Sequence, residues 1–272
     1  MDVFKFNSKQ TKAIISISNG YTDFLSCISI VFYNLELYTD IILYVRDDLK
    51  NLCDFIFRNK KNIKYHYCPS GNKLPDGTHV DNLKKSILDN KDFYPEYKRL
   101  FYSANRHINN VHVSHPRSKN TISYFYKDLH IDNSIFINYF NIERDLELEK
   151  KRYDKVINDI GENYIITNEC GGNVLNKFYF NNGKVNRKYF KNNKLPVFNL
   201  NFTSDVMFDM IMIIEKSKEI HLISTSWSLI ILLLQKKFNL FNNIPIYFHN
   251  YIRPNHVVDY YLDLPKNWTF LE

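Results

Sequence analysis

Two stretches carry the residue types that binding and transferring a phosphorylated ligand would need. In the C-terminal half, Glu219–Gln235 (EIHLISTSWSLIILLLQ) places Ser224, Thr225, Ser226 and Ser228 where an apolar strand pattern gives way to an apolar helix pattern. Hydroxyls and backbone N–H groups at a helix start suit a pyrophosphate without any positive side chain. The same residues are also ordinary N-caps, and both readings stand. Near the N-terminus, Ala13–Tyr33 (AIISISNGYTDFLSCISIVFY) repeats the plan, with Asn19 and Gly20 at the turn and Asp23 at the helix start. Asp23 reads either as a cap or as a carboxylate facing the cleft beyond a strand end. In the second position it would be a general base for an attacking hydroxyl. Gly20 either lets a substrate approach the backbone or simply permits the turn.

Further candidates accompany the second stretch. Glu169 and the Gly171-Gly172 pair follow the strand pattern Tyr164–Asn168. The glycines suit a loop that a ligand approaches, and Glu169 would hold ribose or sugar hydroxyls or be a plain surface carboxylate. His249 and Arg253 follow a late strand in IYFHNYIRPN. Arg253 would neutralise a diphosphate or tether the C-terminal tail. Trp227 reads as packing or as a surface on which a base stacks.

The elements that must position these residues alternate in type. Strand patterns at Ala13–Ser18, Ile41–Val45 and Ile63–Tyr67 are separated by helix patterns, the mark of a parallel sheet covered by helices. A helix over Glu143–Ile160 precedes a second such series: strands at Tyr164–Asn168, Val197–Asn201, Ile220–Ile223 and Ile244–Phe248, with a Trp227–Lys237 helix. Phe178–Asn193 reads as a polar hairpin or loop around Asn181–Gly183. The fold class is therefore α/β, with an N-terminal domain over 1–142, a C-terminal domain over 143–250, and a tail over 251–272 that packs back on the first half.

Composition sets the limits. The chain has 272 residues, 44% hydrophobic and 16% aromatic, which is ample for a core. A net charge of +7 invites a polyanion, but the chain has only two alanines, Ala13 and Ala104, and abounds in residues with AT-rich codons. No Lys/Arg block resembles a nucleic-acid arm, so no nucleic-acid partner is expected. Four cysteines lack metal spacing, and His107, His112 and His115 are too irregular for a helical metal site. No signal-peptide pattern opens the chain and no apolar run is long enough for a membrane span, so a cytoplasmic protein is expected. Neither GxxxxGK[ST] nor GxGxxG occurs, and Asp-x-Asp, the metal-chelating diphosphate motif of single-sheet sugar transferases, is missing too.

With these residues in place, the chain resembles glycosyltransferases of the two-domain GT-B kind, and among them the heptosyltransferases. Asn19-Gly20-Tyr21-Thr22-Asp23 stands where that family has a Gly-Gly-Leu-Gly-Asp-like turn, with Gly20 and Asp23 matching. Ser224-Thr225-Ser226-Trp227-Ser228-Leu229 stands where the family has Asp-Thr/Ser-Gly-x-x-His, with Thr225 alone matching. The resemblance implies two Rossmann-like domains facing a central cleft, with an acceptor side around Asn19 and Gly20. A nucleotide-sugar side would lie around Glu169, Gly171, Ser224, Thr225, Ser226 and Arg253. It implies metal-independent sugar transfer from a nucleotide-sugar donor to a glycan or other hydroxyl acceptor, without a cofactor and with Asp23 as base if the enzyme inverts. A nucleotide-sugar epimerase and a non-catalytic binding protein on the same fold are the alternatives.

Overall fold

The computed structural model describes residues 12–17, 21–68, 98–101, 126, 131–169, 185–200, 207–252 and 264–272. They fall in two compact units, one drawn from Met1–Val113 and Phe125–Asn141, the other from Ser114–Tyr124 and Ile142–Glu272.

In the first unit β1 (Lys12–Ile17), β2 (Asp40–Arg46), β3 (Ile63–Cys68) and β4 (Lys98–Phe101) form a parallel sheet in the order β3-β2-β1-β4. Ile41 to Val45 are all buried, as expected of a parallel strand covered on both faces. Helix α1 (Tyr21–Leu37) buries Phe24, Leu25, Ile28 and Val31. Its polar residues are satisfied locally: Ser26 Oγ donates to Thr22 O at 2.8 Å and Asn34 Nδ2 to Ile30 O at 2.7 Å. Ser29 Oγ reaches Phe136 O at 2.7 Å, which ties α1 to the short helix α3 (Ile135–Asn138). Between β2 and β3 the chain makes a 3-10 turn at Asp47–Leu49 and then α2 (Lys50–Ile56). β4 was not anticipated, because Lys98 and Arg99 break the apolar pattern that marks the other three strands.

The second unit holds a five-stranded parallel sheet, order β6-β5-β7-β8-β9, built from β5 (Ile165–Thr167), β6 (Val197–Asn199), β7 (Glu219–Leu222), β8 (Ile246–His249) and β9 (Trp268–Leu271). β9 lies at the end of the 251–272 tail. Trp268–Leu271 pairs with β8 as the edge strand of the second sheet, with Ile246 opposite Trp268. The reason is specific. Trp268 Nε1 donates to Gln235 Oε1 at 2.6 Å, and Asn267 Nδ2 donates to the carbonyls of Phe241 and Ile244. An apolar ring with one polar handle thus finds both its needs beside α6 (Ser226–Phe238). Of the hairpin and loop readings of Phe178–Asn193, the described part fits the loop, with a 3-10 turn at Arg187–Tyr189 capped by Asn186.

Helix α4 (Leu146–Ile160) starts at Asp145, whose side chain accepts from Leu148 N at 3.0 Å, and stops at Gly161, where φ is +83°. It packs against α5 (Ile211–Glu215) through an ion cluster. Arg144 forks onto the fully buried carboxylate of Glu149, at 2.9 and 2.5 Å, and reaches Glu215 at 2.7 Å. Removing the guanidinium strands a buried charge. Arg144→Met should therefore lower the unfolding free energy by about 3 kcal/mol, read as a fall in the urea midpoint of the second unit. Glu215→Gln, at a side chain 27% exposed, should cost far less.

Candidate functional site

Open parallel sheets bind ligands beyond the carboxyl ends of their strands, where the strand order reverses. In the second sheet that point lies between β5 and β7, and one side chain closes it. Asn168, the residue after β5, donates its backbone N–H to His221 O at 2.9 Å and its Nδ2 to Leu200 O at 3.1 Å. Its Oδ1 accepts from Thr225 Oγ1 at 2.5 Å. One amide therefore joins the end of β5, the residue after β6 and the start of α6. The sequence reading placed Asn168 at the end of a strand and gave it no role; the signal was an Asn at the carboxyl end of an otherwise apolar run.

Thr225 is the N-cap of α6. Its hydroxyl accepts from Trp227 N at 3.2 Å while donating to Asn168. Ser228 completes a capping box, accepting from Thr225 N at 3.0 Å and donating to Thr225 O at 2.8 Å. Ser224, Thr225 and Ser226 are all buried, and Trp227 is fully buried as a core residue. The junction is thus built as a cap first. Glu169 is half-buried, with its backbone N–H pointing at Asn199 Oδ1 at 3.4 Å. Gly171 and Arg253 lie outside the described residues.

In the first unit Asp23 occupies the third position of α1, so its backbone lies in the first helical turn after β1. Its side chain, like Asn19 and Gly20, lies outside the described residues. Around that helix start sits a polar group that the sequence reading missed. Arg46, at the carboxyl end of β2, forks onto Asp48 at 2.9 and 2.5 Å, and Tyr21 Oη donates to Asp48 O at 3.1 Å. No group of three or more His, Cys, Asp or Glu side chains among the described residues could hold a metal ion. No described helix is long and apolar enough to cross a membrane.

A second polar cluster lies on the face of the second sheet that carries Glu219 and His221 of β7 and Tyr247 and His249 of β8. His221 Nδ1 and His249 Nε2 are 2.8 Å apart, and His249 Nδ1 is 2.8 Å from Tyr251 Oη. His221 stacks on Tyr247 and meets Phe190. Burial lowers the pKa of His221 to about 3, helped by His249, and burial lowers that of His249 to about 4. Both imidazoles are therefore neutral at pH 7.

Two outcomes follow from this geometry. Thr225→Val removes both the cap on Trp227 N and the hydrogen bond to Asn168 Oδ1, so it should cost about 2 kcal/mol; Thr225→Ser should restore most of it, and paired thermal melts measure both. The histidines bear on acid stability. Their folded pKa values lie below the unfolded value of about 6.5, so on acidification the unfolded chain takes up protons first. Stability should fall as pH drops through about 6.5 and go on falling towards the folded values. Each imidazole removes up to about 1.4 kcal/mol per pH unit in that window. Melts between pH 7 and pH 5 should show a falling Tm, with a shallower slope in His249→Phe.

Compared by sequence, the chain matches no protein-family model and no curated protein. Compared by structure, it is similar to a solved structure described as the glycosyl transferase family 9 from Veillonella parvula DSM 2008. The two share a TM-score of 0.56 at 8% identity, over 100% of this chain and 89% of the other. At that identity the likeness is one of fold: α/β, with parallel sheets.

Proposed function

We propose that this chain is a glycosyltransferase of the GT-B kind. It moves a sugar from a nucleotide-diphosphate donor to a hydroxyl of a glycan or similar acceptor, and does so without a metal. The observation that carries the reading is a likeness to a glycosyl transferase structure that spans this whole chain, including both parallel sheets. In the proposed reaction Asp23 takes the proton of the acceptor hydroxyl. The hydroxyl oxygen attacks the anomeric carbon, and the bond from that carbon to the diphosphate oxygen breaks. The departing oxygen keeps the electron pair, and the start of α6 with Arg253 steadies the charge. Ser224, Thr225 and Ser226 form that helix start, Glu169 takes ribose or sugar hydroxyls, and the loop at Gly171 lies against the donor. Asn19 and Gly20 border the acceptor. In this reading the two units face one another across the cleft and the protein works in the cytoplasm.

A second reading has its own support. Thr225 and Ser228 spend their hydroxyls on the cap and on Asn168, which suits a binding protein that kept the fold without the chemistry.

Thermal melts with UDP, GDP, ADP and CMP, each with and without Mg²⁺, separate the two. The transferase reading expects one diphosphate to raise Tm selectively and independently of metal. It also expects Asp23→Asn to cut sugar transfer at least a hundredfold while leaving that nucleotide shift in place. Retained turnover in Asp23→Asn would remove the base from the mechanism, and no shift with any nucleotide would favour the binding protein.

A further inference from the structure

A row of polar side chains crosses the second sheet at one level. The register sets Asn199 of β6 opposite Thr167 of β5, and Thr167 opposite His221 of β7. It goes on to set His221 opposite Tyr247 of β8, and Tyr247 opposite Thr269 of β9. Residues in register share a face of the sheet, and Glu219, two places before His221 on β7, lies on that face too. Parallel strands covered on both sides are normally apolar on both faces. Yet Thr167 and His221 are fully buried and Glu219 is 2% exposed. The proposed reaction uses none of these three.

One atom of each is short of a partner. Thr167 Oγ1, His221 Nε2 and Glu219 Oε1 are buried and make no hydrogen bond among the described residues. The imidazole and the carboxylate are each held by their other end. His221 Nδ1 lies 2.8 Å from His249 Nε2, and the ring stacks on Tyr247 and meets Phe190. Glu219 Oε2 accepts from Lys191 N at 3.1 Å. So held, Nε2 and Oε1 stand 3.7 Å apart. That gap is too long for a hydrogen bond, and short enough for one oxygen atom to lie about 2.8 Å from both.

We propose that this point is a binding site for one buried water molecule, which bridges Thr167 Oγ1, His221 Nε2 and Glu219 Oε1. Buried waters typically make about three hydrogen bonds to groups that the chain itself leaves unpaired. Water also fits whichever nitrogen of His221 bears the proton. With the proton on Nε2, the ring donates to the water, which donates in turn to Glu219 Oε1 and Thr167 Oγ1. With Nε2 bare, the water donates to Nε2 and Oε1 and accepts from the Thr167 hydroxyl. A metal ion does not suit the site. No three His, Cys, Asp or Glu side chains among the described residues could hold one, and the nitrogen of His249 that faces His221 is already spent on it. The water ties β5 to β7, and through Glu219 it bears on the backbone of Lys191.

A crystal structure of the full chain at atomic resolution tests the site. Expected is one ordered water within about 3.2 Å of all three atoms. A dry gap, an ion at shorter distances, or a side chain from another segment bonded in that place would overturn the proposal. Thr167→Val keeps the shape of the side chain and takes away its hydroxyl, and its thermal melt separates the cases by sign. With the water in place the variant loses a bonded hydroxyl, so Tm should fall and the water should lose occupancy in the variant's crystals. In a dry site the same change removes an unpaired buried hydroxyl, and Tm should rise. A Tm that rises or stays put in Thr167→Val would overturn the three-way bridge.

Discussion

A parallel strand cannot be joined to its neighbour by a tight turn, and nearly everything in this protein follows from that. Each connection must cross a face of the sheet, usually as a helix, so both faces are covered and each strand must be apolar on both sides. β2 meets the requirement with five consecutive buried residues. The connections also gather at the carboxyl ends of the strands, where loops and helix starts collect. Where the strand order reverses, two connections leave in opposite directions and open a gap that something must bridge. Asn168 is that bridge in the second sheet. Its amide satisfies Leu200 O and Thr225 Oγ1 together, so the geometry of the α6 start is inherited from the sheet and not set by α6 alone.

This inheritance bears on what the junction can do. A helix start offers N–H groups to an anion only if they are not already capped. Here Trp227 N–H and Thr225 N–H are both taken by side chains of the cap itself. A phosphate at this point would therefore exchange interactions with the cap rather than fill unsatisfied ones. Such a site gains affinity from charge and preorganisation more than from new hydrogen bonds, and the tie from Thr225 to Asn168 supplies the preorganisation.

The α/β alternation was legible because it depends on long apolar runs, which survive any single substitution. β1, β2, β3, β5, β6, β7, β8, α1, α4 and α6 all lie where periodicity placed them, to within a few residues. β4 and β9 were not legible. Lys98 and Arg99 interrupt the first, and the second is a four-residue edge strand whose Thr269 and Phe270 are exposed, so neither shows a buried-strand pattern. Its attachment depends on Gln235 and Asn267, two amides whose partners lie far off in sequence. The candidate site was legible in residue type and not in wiring. Ser/Thr at a helix start announces a cap or an anion site equally, and only the fold brings Thr225 to Asn168. Arg46 with Asp48 was silent for the same reason, since a fork between neighbours has no periodicity to betray it.

The His221–His249 pair shows the limit of pattern reading most clearly. In sequence, His221 is one polar residue inside IHLI and His249 one inside YFHN, and each looks like an isolated interruption of an apolar strand. Parallel pairing sets Tyr247 opposite His221 and brings His249 onto the same face, so two interruptions become one hydrogen-bonded unit. Such a unit costs desolvation, and a well-packed apolar pair would fill the same space at lower cost. What an apolar pair lacks is hydrogen bonding to what lies over it. Here the polar face of β7 and β8 holds two backbone N–H groups of the covering segment, Asn186 N on Tyr251 Oη and Lys191 N on Glu219 Oε2. The stability given up on β7 and β8 is thus offset in part by contacts that fix that segment on the sheet.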